Sequence, residues 1–311
     1  MRIVATLVGT LLLTLSAGAN GKLLISGAEA VKLHTQPNVV FVMGDNSEVF
    51  EAGHIPGSMH MESHGLQCSD SAGKLDCPPL YQCEKDAEKF IGERGIDNKT
   101  LVIAYDDYRG PNATGIYHFF RLYGHENVKI LNGGLEAWKK AGGKVATGPA
   151  KLPAKPKSFK VKVDMSVLAT KEQMAAGSQN IMDTVAKTGS RAKAKYALID
   201  SRSMAEAIGE RKVDNVARGG HVPGATLMEW LQVSGAEEKL SYPSNLTKVR
   251  QKLEAAGITK DKTIYTYCHV GAGRGSYYYV LLKELLGYPN VRVYTGGWNE
   301  WGNDMNLPIR R

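Results

Sequence analysis

Residues 263–286 read TIYTYCHVGAGRGSYYYVLLKELL, and they define the architecture of the chain. The first five residues are β-branched or aromatic, which favours a strand, whereas Ser276 to Leu286 has the composition of a helix. A glycine-containing loop from Cys268 to Arg274 joins the two. In open parallel sheets, ligands bind outside the carboxyl ends of the strands. The stretch therefore predicts a strand, a loop and a helix, with a cysteine at the end of the sheet where ligands bind.

The loop favours a reactive thiolate at Cys268. Backbone N–H groups of a glycine-rich turn and of a helix N-terminus stabilise negative charge, and Arg274 adds a fixed positive charge. We therefore predict that Cys268 and Arg274 are catalytic. The active-site loop is predicted to comprise His269, Val270, Gly271, Ala272 and Gly273. The alternative is a buried structural thiol, which would not require such a loop.

Two segments of the chain recur in the same order. GHIPGSMHME at 53–62 returns as GHVPGATLME at 220–229, and the run at 124–138 corresponds to that at 287–301. This self-similarity predicts two copies of one structural unit. A proline- and lysine-rich stretch between them reads as an extended linker. The predicted organisation is a signal peptide at 1–19, a first domain at 20–145, a linker at 146–162 and a second domain at 163–311.

Short apolar runs alternate with helical stretches in both halves. Strands are predicted at 39–43, 101–105, 128–131, 197–200, 263–267 and 291–294, and helices at 83–94, 113–122, 135–141, 245–256 and 276–286. This alternation predicts an α/β fold with a mostly parallel sheet in each domain. Aligning the copies sets Asp106 opposite Cys268. Because a carboxylate cannot act as a sulfur nucleophile, the first domain is predicted to be catalytically silent and to supply one wall of the active cleft.

The N-terminus predicts export. Arg2 precedes an apolar run from Ile3 to Leu15, and small residues follow up to Ala19, which is typical of a signal peptide cleaved near Ala19. We therefore expect a periplasmic protein. No other segment is long and apolar enough to predict a membrane span. The formal net charge of +8 lies partly in the linker, and a nucleic-acid partner is not predicted.

Three cysteines of the first domain fall within sixteen residues and permit a disulfide in an exported protein. Cys68, Cys77 and Cys83 allow one pair with one residue left over, and the sequence leaves the pairing open. A zinc site would need more ligands at closer spacing, so no metal is predicted.

Taken together, these motifs resemble the tandem rhodanese family, the thiosulfate and 3-mercaptopyruvate sulfurtransferases. The resemblance rests on both Gly-His-x-Pro-Gly motifs, on Asp200-Ser201-Arg202, on Tyr267-Cys268 and on the Gly297 to Gly302 run. It implies two tandem rhodanese-like α/β domains, of which the second is catalytic. It also implies a monomer that needs no metal or organic cofactor.

The resemblance further implies a ping-pong sulfur transfer. Cys268 would take a sulfane sulfur from a small anionic donor, thiosulfate or 3-mercaptopyruvate, and pass it from a persulfide to a thiol, cyanide or a protein. Arg202 stands where family members bind the anionic group of the donor; the alternative is an ion pair with Asp200. Arg211 is a further candidate for donor binding. His54 matches a histidine that some members place near the active cysteine, although a turn-stabilising role would explain both His54 and His221.

Two alternatives remain open from the residues. The active loop holds seven residues where common sulfurtransferases have six, and Cys-x5-Arg is the loop of cysteine phosphatases and of arsenate reductases. Against this alternative, no general-acid loop is evident in the sequence. The other alternative is a carrier that binds sulfur or another chalcogen without rapid turnover.

Overall fold

The computed structural model describes residues 22–66, 84–107, 109–213, 215–270 and 273–311. Within these ranges the chain forms two parallel sheets flanked by helices, which confirms the predicted α/β class. The predicted signal peptide and Cys68, Cys77 and Cys83 lie outside the described residues. The export and the disulfide pairing therefore stay predictions.

The first sheet contains five parallel strands in the order β1-β5-β4-β2-β3. Its strands are β1 (Leu24–Ile25), β2 (Val39–Met43), β3 (Met59–His60), β4 (Leu101–Tyr105) and β5 (Val128–Leu131). Its helices are α1 (Gly27–Leu33), α2 (Ser47–Ala52), α3 (Glu84–Glu93), α4 (Pro111–Leu122) and α5 (Gly134–Lys140).

The second sheet contains four parallel strands in the order β7-β6-β8-β9, which repeats the first sheet without β1. Its strands are β6 (Tyr196–Asp200), β7 (Thr226–Leu227), β8 (Thr263–Tyr267) and β9 (Val291–Val293). Its helices are α6 (Lys171–Thr188), α7 (Met204–Ala207), α8 (Leu246–Ala255), α9 (Arg274–Tyr279) and α10 (Gly297–Asn303). A π-helical segment, Val280–Leu285, continues α9.

The two Gly-His-x-Pro-Gly motifs occupy equivalent places beside the central strands. The hydroxyl of Tyr105, the last residue of β4, accepts a hydrogen bond from Ile55 N at 3.0 Å. The hydroxyl of Tyr267, the last residue of β8, accepts one from Val222 N at 3.1 Å. Each motif is thus a turn that is hydrogen-bonded to the end of a central strand. That strand is β4 in the first domain and β8 in the second.

One apolar cluster extends across both domains, beside a separate cluster in each. Helix α4 of the first domain packs against α9 of the second, and buried residues of both join a single cluster. The rings of Tyr242 and Tyr277 stack with their centroids 4.3 Å apart. Asn132 of the first domain accepts a hydrogen bond from Tyr242 N at 3.0 Å, which ties the two domains beside this stack.

Residues 147–164 contain no helix or strand and run along the first domain. Lys157 N donates to Gly92 O at 2.9 Å, Phe159 is buried, and Asp164 N donates to Leu122 O at 2.7 Å. The connection between the domains is therefore extended but packed against the protein.

Candidate active site

Cys268 directly follows β8 and is buried, with 2% of its surface exposed. Its Sγ donates to Val270 O at 3.6 Å. Trp298 N donates to Cys268 O at 2.9 Å and Asn299 N to His269 O at 2.8 Å, so the start of α10 holds the start of the loop. The predicted loop residues Gly271 and Ala272 lie outside the described residues.

The loop can approach α10 this closely because residue 297 is glycine. Gly297 has a φ of 58°, which side chains rarely adopt. A Cβ at this position would lie 2.7 Å from Cys268 O and 2.6 Å from His269 O. The glycine pair before α10 therefore fixes the backbone that carries the cysteine.

Arg274 begins α9 and forms an ion pair with Glu206 on α7. Its Nη1 and Nη2 donate to the two carboxylate oxygens at 2.7 and 3.2 Å. Glu206 is almost completely buried and also accepts from Ser203 Oγ at 2.8 Å in a capping box. Burial acts to raise the pKa of Glu206, but the hydrogen bonds and charge of Arg274 outweigh it and lower the pKa to about 2. The Glu206 carboxylate therefore stays ionised and orients the guanidinium of Arg274.

Arg274 provides a fixed positive charge near the sulfur. Burial acts to lower its pKa, but the hydrogen bonds with Glu206 and the negative charge of Cys268 outweigh burial, so the pKa is raised. Arg211, the tentative donor-binding residue, lies 3.4 Å from Glu206 and is mostly exposed. The structure thus brings Arg274, Glu206 and Arg211 together in one charge cluster.

Arg202 is engaged inside the second domain. Its Nε and Nη2 donate to Asp200 at 3.0 and 2.6 Å, and Nη2 also donates to Gly220 O at 2.6 Å. The guanidinium carbon lies 4.7 Å from the ring centroid of Trp298, and only 2% of the residue is exposed. The structure therefore shows the ion pair with Asp200 that was the alternative to donor binding.

His54 contacts residues of the first domain. Its Nδ1 shares a hydrogen bond with Phe50 O at 2.9 Å, and its ring stacks on Phe50 with centroids 4.0 Å apart. His221 repeats the hydrogen bond, with Nδ1 2.8 Å from Ala207 O. Both histidines thus stabilise their turns, and none of these contacts brings His54 to the loop of Cys268.

A different histidine of the first domain, His64, does reach the active loop. A Cβ placed on Gly273 would lie 3.1 Å from His64 Nε2. The protein packed around the ring and, after it, the positive charge of Arg274 lower the pKa of His64. The residue as a whole nevertheless remains exposed to solvent. Sequence reasoning missed this residue. The available signal was its place two residues beyond the first repeated motif, where the second copy has Leu231.

His269 occupies the wall of the site beside the cysteine. Its Nε2 lies 3.1 Å from Asn215 Oδ1, whereas its buried Nδ1 has no hydrogen-bond partner among the described residues. Burial and, after it, the charge of Arg202 lower the pKa of His269 to about 4. The ring is therefore neutral at physiological pH and adds no positive charge to the loop.

The first domain keeps the same framework around Asp106. Leu135 N donates to Asp106 O at 2.8 Å, as Trp298 N does to Cys268 O. The Asp106 side chain accepts through Oδ2 from Gly110 N at 2.8 Å and Ala113 N at 3.2 Å, where α4 begins. Burial, followed by the charges of Asp45 and Asp107, raises the pKa of Asp106. A carboxyl group of the chain itself thus fills the place equivalent to the cysteine.

Within the described ranges, no three His, Cys, Asp or Glu side chains form a group suited to a metal ion. No helix in these same parts of the chain has the length and hydrophobicity needed to cross a bilayer.

The rhodanese-like domain family matches the chain twice, over residues 26–141 and 184–304. Three similar proteins extend this match over nearly the whole chain. The sulfur carrier protein TtuD of Thermus thermophilus is 29% identical, covering 94% of this chain and 98% of the relative. The thiosulfate sulfurtransferase of Azotobacter vinelandii is 29% identical, covering 92% and 96%. The thiosulfate sulfurtransferase of Pseudomonas aeruginosa is 28% identical, covering 88% and 91%.

Solved structures agree on the fold. The anaerobic ergothioneine biosynthesis enzyme from Chlorobium limicola, in complex with trimethyl histidine, superposes with a TM-score of 0.72 at 22% identity. The match covers 93% of this chain and 70% of that enzyme.

The chain belongs to the rhodanese family and carries two rhodanese-like domains in tandem, as its repeat predicted. Its relatives further identify it as a sulfurtransferase.

Proposed function

We propose that this protein transfers a sulfane sulfur from thiosulfate or 3-mercaptopyruvate to a thiol, cyanide or protein acceptor through a persulfide on Cys268. One observation carries the proposal. The cysteine lies at the junction of β8 and α9 beside the Arg274–Glu206 ion pair, whereas the equivalent place in the first domain holds Asp106. Of these two equivalent places, only the one in the second domain holds a sulfur atom.

In the first half-reaction with thiosulfate, the Cys268 thiolate attacks the outer sulfur of the donor. The bond between the two donor sulfurs breaks, and sulfite leaves with the electron pair. Arg274 lies close enough to stabilise the negative charge on the sulfur before and after transfer. A preorganised charge of this kind typically contributes a few kcal/mol. Glu206 has a positioning role, because it holds the guanidinium without touching the reacting atoms.

In the second half-reaction, the acceptor attacks the outer sulfur of the persulfide. The Cys268 sulfur is the leaving group, and Arg274 favours its departure as a thiolate. The same fixed charge thus serves both halves, and its bonds with Glu206 hold it in place.

The test is to incubate the protein with thiosulfate or 3-mercaptopyruvate, remove the donor and measure the intact mass. We expect a gain of one sulfur atom on Cys268 that disappears on adding cyanide or a thiol, with formation of thiocyanate or a new persulfide. Cys268→Ser should abolish the gain, and Asp106→Asn should retain it. Release of phosphate from a phosphate monoester, abolished by Cys268→Ser without any persulfide, would instead support the phosphatase alternative.

The same experiment separates an enzyme from a carrier, which the similarity to TtuD makes a second candidate. An enzyme discharges its persulfide repeatedly to a small acceptor. A carrier forms the persulfide but releases it slowly to small acceptors and quickly to a protein partner.

A further inference from the structure

His64 is a first-domain residue placed against the active loop, where Thr114 of α4 also donates to Gly273 O at 3.5 Å. Its Nε2 would lie 3.1 Å from a Cβ on Gly273, the residue directly before Arg274. Its charge interactions are with Arg274 at the start of α9 and with His269 in the loop, and Glu206 partners Arg274 on the other side. Among the described residues, neither ring nitrogen of His64 has a hydrogen-bond partner, and the side chain is exposed. The imidazole is therefore available to a molecule that enters the site.

The backbone that carries His64 is anchored rather than loose. Ser63 is buried, its N donates to Gly44 O at 3.0 Å, and its Oγ donates to Asn112 Oδ1 at 3.0 Å. Asn112 in turn donates to Asp45 at 2.6 Å. These bonds fix residue 63 to the end of β2 and to α4, the helix that packs on α9. His64 is thus held at the active loop by the domain interface itself.

The second copy shows that this position needs no histidine to support the fold. There, Trp230 N donates to Ser201 O at 3.2 Å, just as Ser63 N donates to Gly44 O. The residue that follows Trp230 is Leu231, which is exposed. An imidazole therefore occurs only in the copy whose turn faces the loop that carries the cysteine.

We infer that His64 is a catalytic residue contributed by the first domain, and that it accepts the proton of a thiol acceptor during discharge of the persulfide. The inference rests on the proposed function of Cys268. The S–H proton moves to a ring nitrogen of His64, and the resulting thiolate attacks the outer sulfur of the Cys268 persulfide. The sulfur–sulfur bond breaks, Cys268 leaves as a thiolate, and the acceptor carries away the persulfide. The imidazolium then returns its proton to solvent.

The lowered pKa of His64 suits this role, because the ring is neutral and able to accept a proton at physiological pH. Attack of the Cys268 thiolate on thiosulfate releases sulfite and needs no such proton transfer. The two half-reactions should therefore depend on His64 to different degrees. The acceptor class implied is a protonated thiol rather than an acceptor that is already an anion.

The experiment measures the two half-reactions separately for the wild-type protein, His64→Gln and His60→Gln. His60 is the control on the same segment, since its Nε2 bonds to Asp45 O rather than facing the loop. We expect His64→Gln to form the Cys268 persulfide from thiosulfate at the wild-type rate but to discharge it to a thiol about 10²-fold more slowly. Discharge to sulfite, at a pH where sulfite is unprotonated, should be unchanged.

The pH profile supplies a second readout. In the wild-type protein, thiol discharge should fall as pH drops through the pKa of His64, and His64→Gln should lack this limb. Equal slowing of both half-reactions, or an unchanged pH profile, would overturn the inference and assign His64 a packing role. Failure of the wild-type protein to form any persulfide would instead overturn the proposed function, so the two failures are distinguishable.

Discussion

Buried carboxyl groups differ between the two domains in whether the ionised or the neutral form is favoured. In the second domain Glu206 is held ionised by Arg274, whereas in the first domain Asp45 and Asp106 lie in surroundings that favour their neutral forms. The difference arises because Glu206 accepts from a guanidinium, while Asp45 accepts from the neutral amide of Asn112. The Cys268 site therefore keeps an ionised buried carboxylate paired with an arginine, whereas the surroundings of Asp106 favour an uncharged carboxyl group.

Glu206→Gln should weaken both activity and stability. Removing the charge leaves Arg274 without its buried partner, which typically costs about 3 kcal/mol, and lets the guanidinium move away from the sulfur. We expect slower persulfide formation from thiosulfate and a lower free energy of unfolding, measured in urea. Arg211→Gln removes only the exposed partner of the same carboxylate and should change the unfolding free energy by less than about 0.5 kcal/mol.

The Glu206→Gln variant also gives a prediction for the free energy of unfolding at low pH. The folded-state pKa of Glu206 is depressed to about 2, so its stabilisation is present above the ordinary value and is lost as pH falls toward about 2. Unfolding free energies of Glu206→Gln and the wild-type protein should therefore converge at the acid end. Curves that stay parallel there would show that the ion pair is not what stabilises this region.

Asp45→Asn should stabilise the protein above neutral pH. Burial raises the folded-state pKa of Asp45 to about 6, so its stabilisation is present at low pH and is lost as pH rises through about 6. The amide lacks this ionisation and should give roughly 2 kcal/mol more stability than the wild-type protein at pH above that value. Glu48→Gln, an exposed change on α2, is the matched control and should not reproduce this gain.

Sequence reasoning placed Cys268 and Asp106 at the ends of equivalent strands but missed neighbours of the loop. Cys268 and Asp106 were predictable because each follows a recognisable strand in a repeated pattern. Glu206 was missed because its role depends on α7, a single turn that brings it back to Arg274, 68 residues later. His64 was missed because only the packing of one domain on the other places it at the loop.

At the scale of elements, the longer strands were predictable and the short or small-residue elements were not. Strands β2, β4, β5 and β8 occupy the predicted ranges. Helix α6 was missed because the residues on its buried face include Gly177 and Ser178, so its apolar periodicity is weak. Strands β1, β3 and β7 have two residues each, too few to show an alternating pattern.

The glycine pairs at the start of α5 and α10 allow a matched test of whether the close contact with α10 fixes the backbone that carries Cys268. Gly134 has a φ of 51° and packs against Asp106 O, just as Gly297 packs against Cys268 O. Gly297→Ala and Gly134→Ala should each lower the unfolding free energy by about 1 to 3 kcal/mol, because both strain the backbone. Only Gly297→Ala should slow formation of the Cys268 persulfide in the folded protein.

Similar rates of persulfide formation in both glycine variants would contradict this assignment. It would mean that the carbonyl contact with α10 supports folding without fixing the cysteine. Both rates should therefore be measured well below the midpoint of thermal unfolding of each variant.

For the whole molecule, the shared core predicts that the two domains unfold together. Trp138 lies in the first domain, whereas Trp230, Trp298 and Trp301 lie in the second. Tryptophan fluorescence should therefore follow mainly the second domain, and far-ultraviolet circular dichroism should follow both. We expect coincident urea transitions by the two probes. Two separate midpoints would show that the interface between α4 and α9 contributes little to stability.

Asp106 has a consequence for how the duplicated chain responds to its surroundings. Its carboxyl group reaches the start of α4 through a covalent tether, so the first domain is always occupied, whatever small molecules are present. In the second domain the equivalent place holds the thiol of Cys268, so under the proposed mechanism its occupancy by sulfur depends on the supply of donor. Under that mechanism, the first domain keeps a permanent occupant, whereas the second exchanges its occupant as the sulfur supply changes.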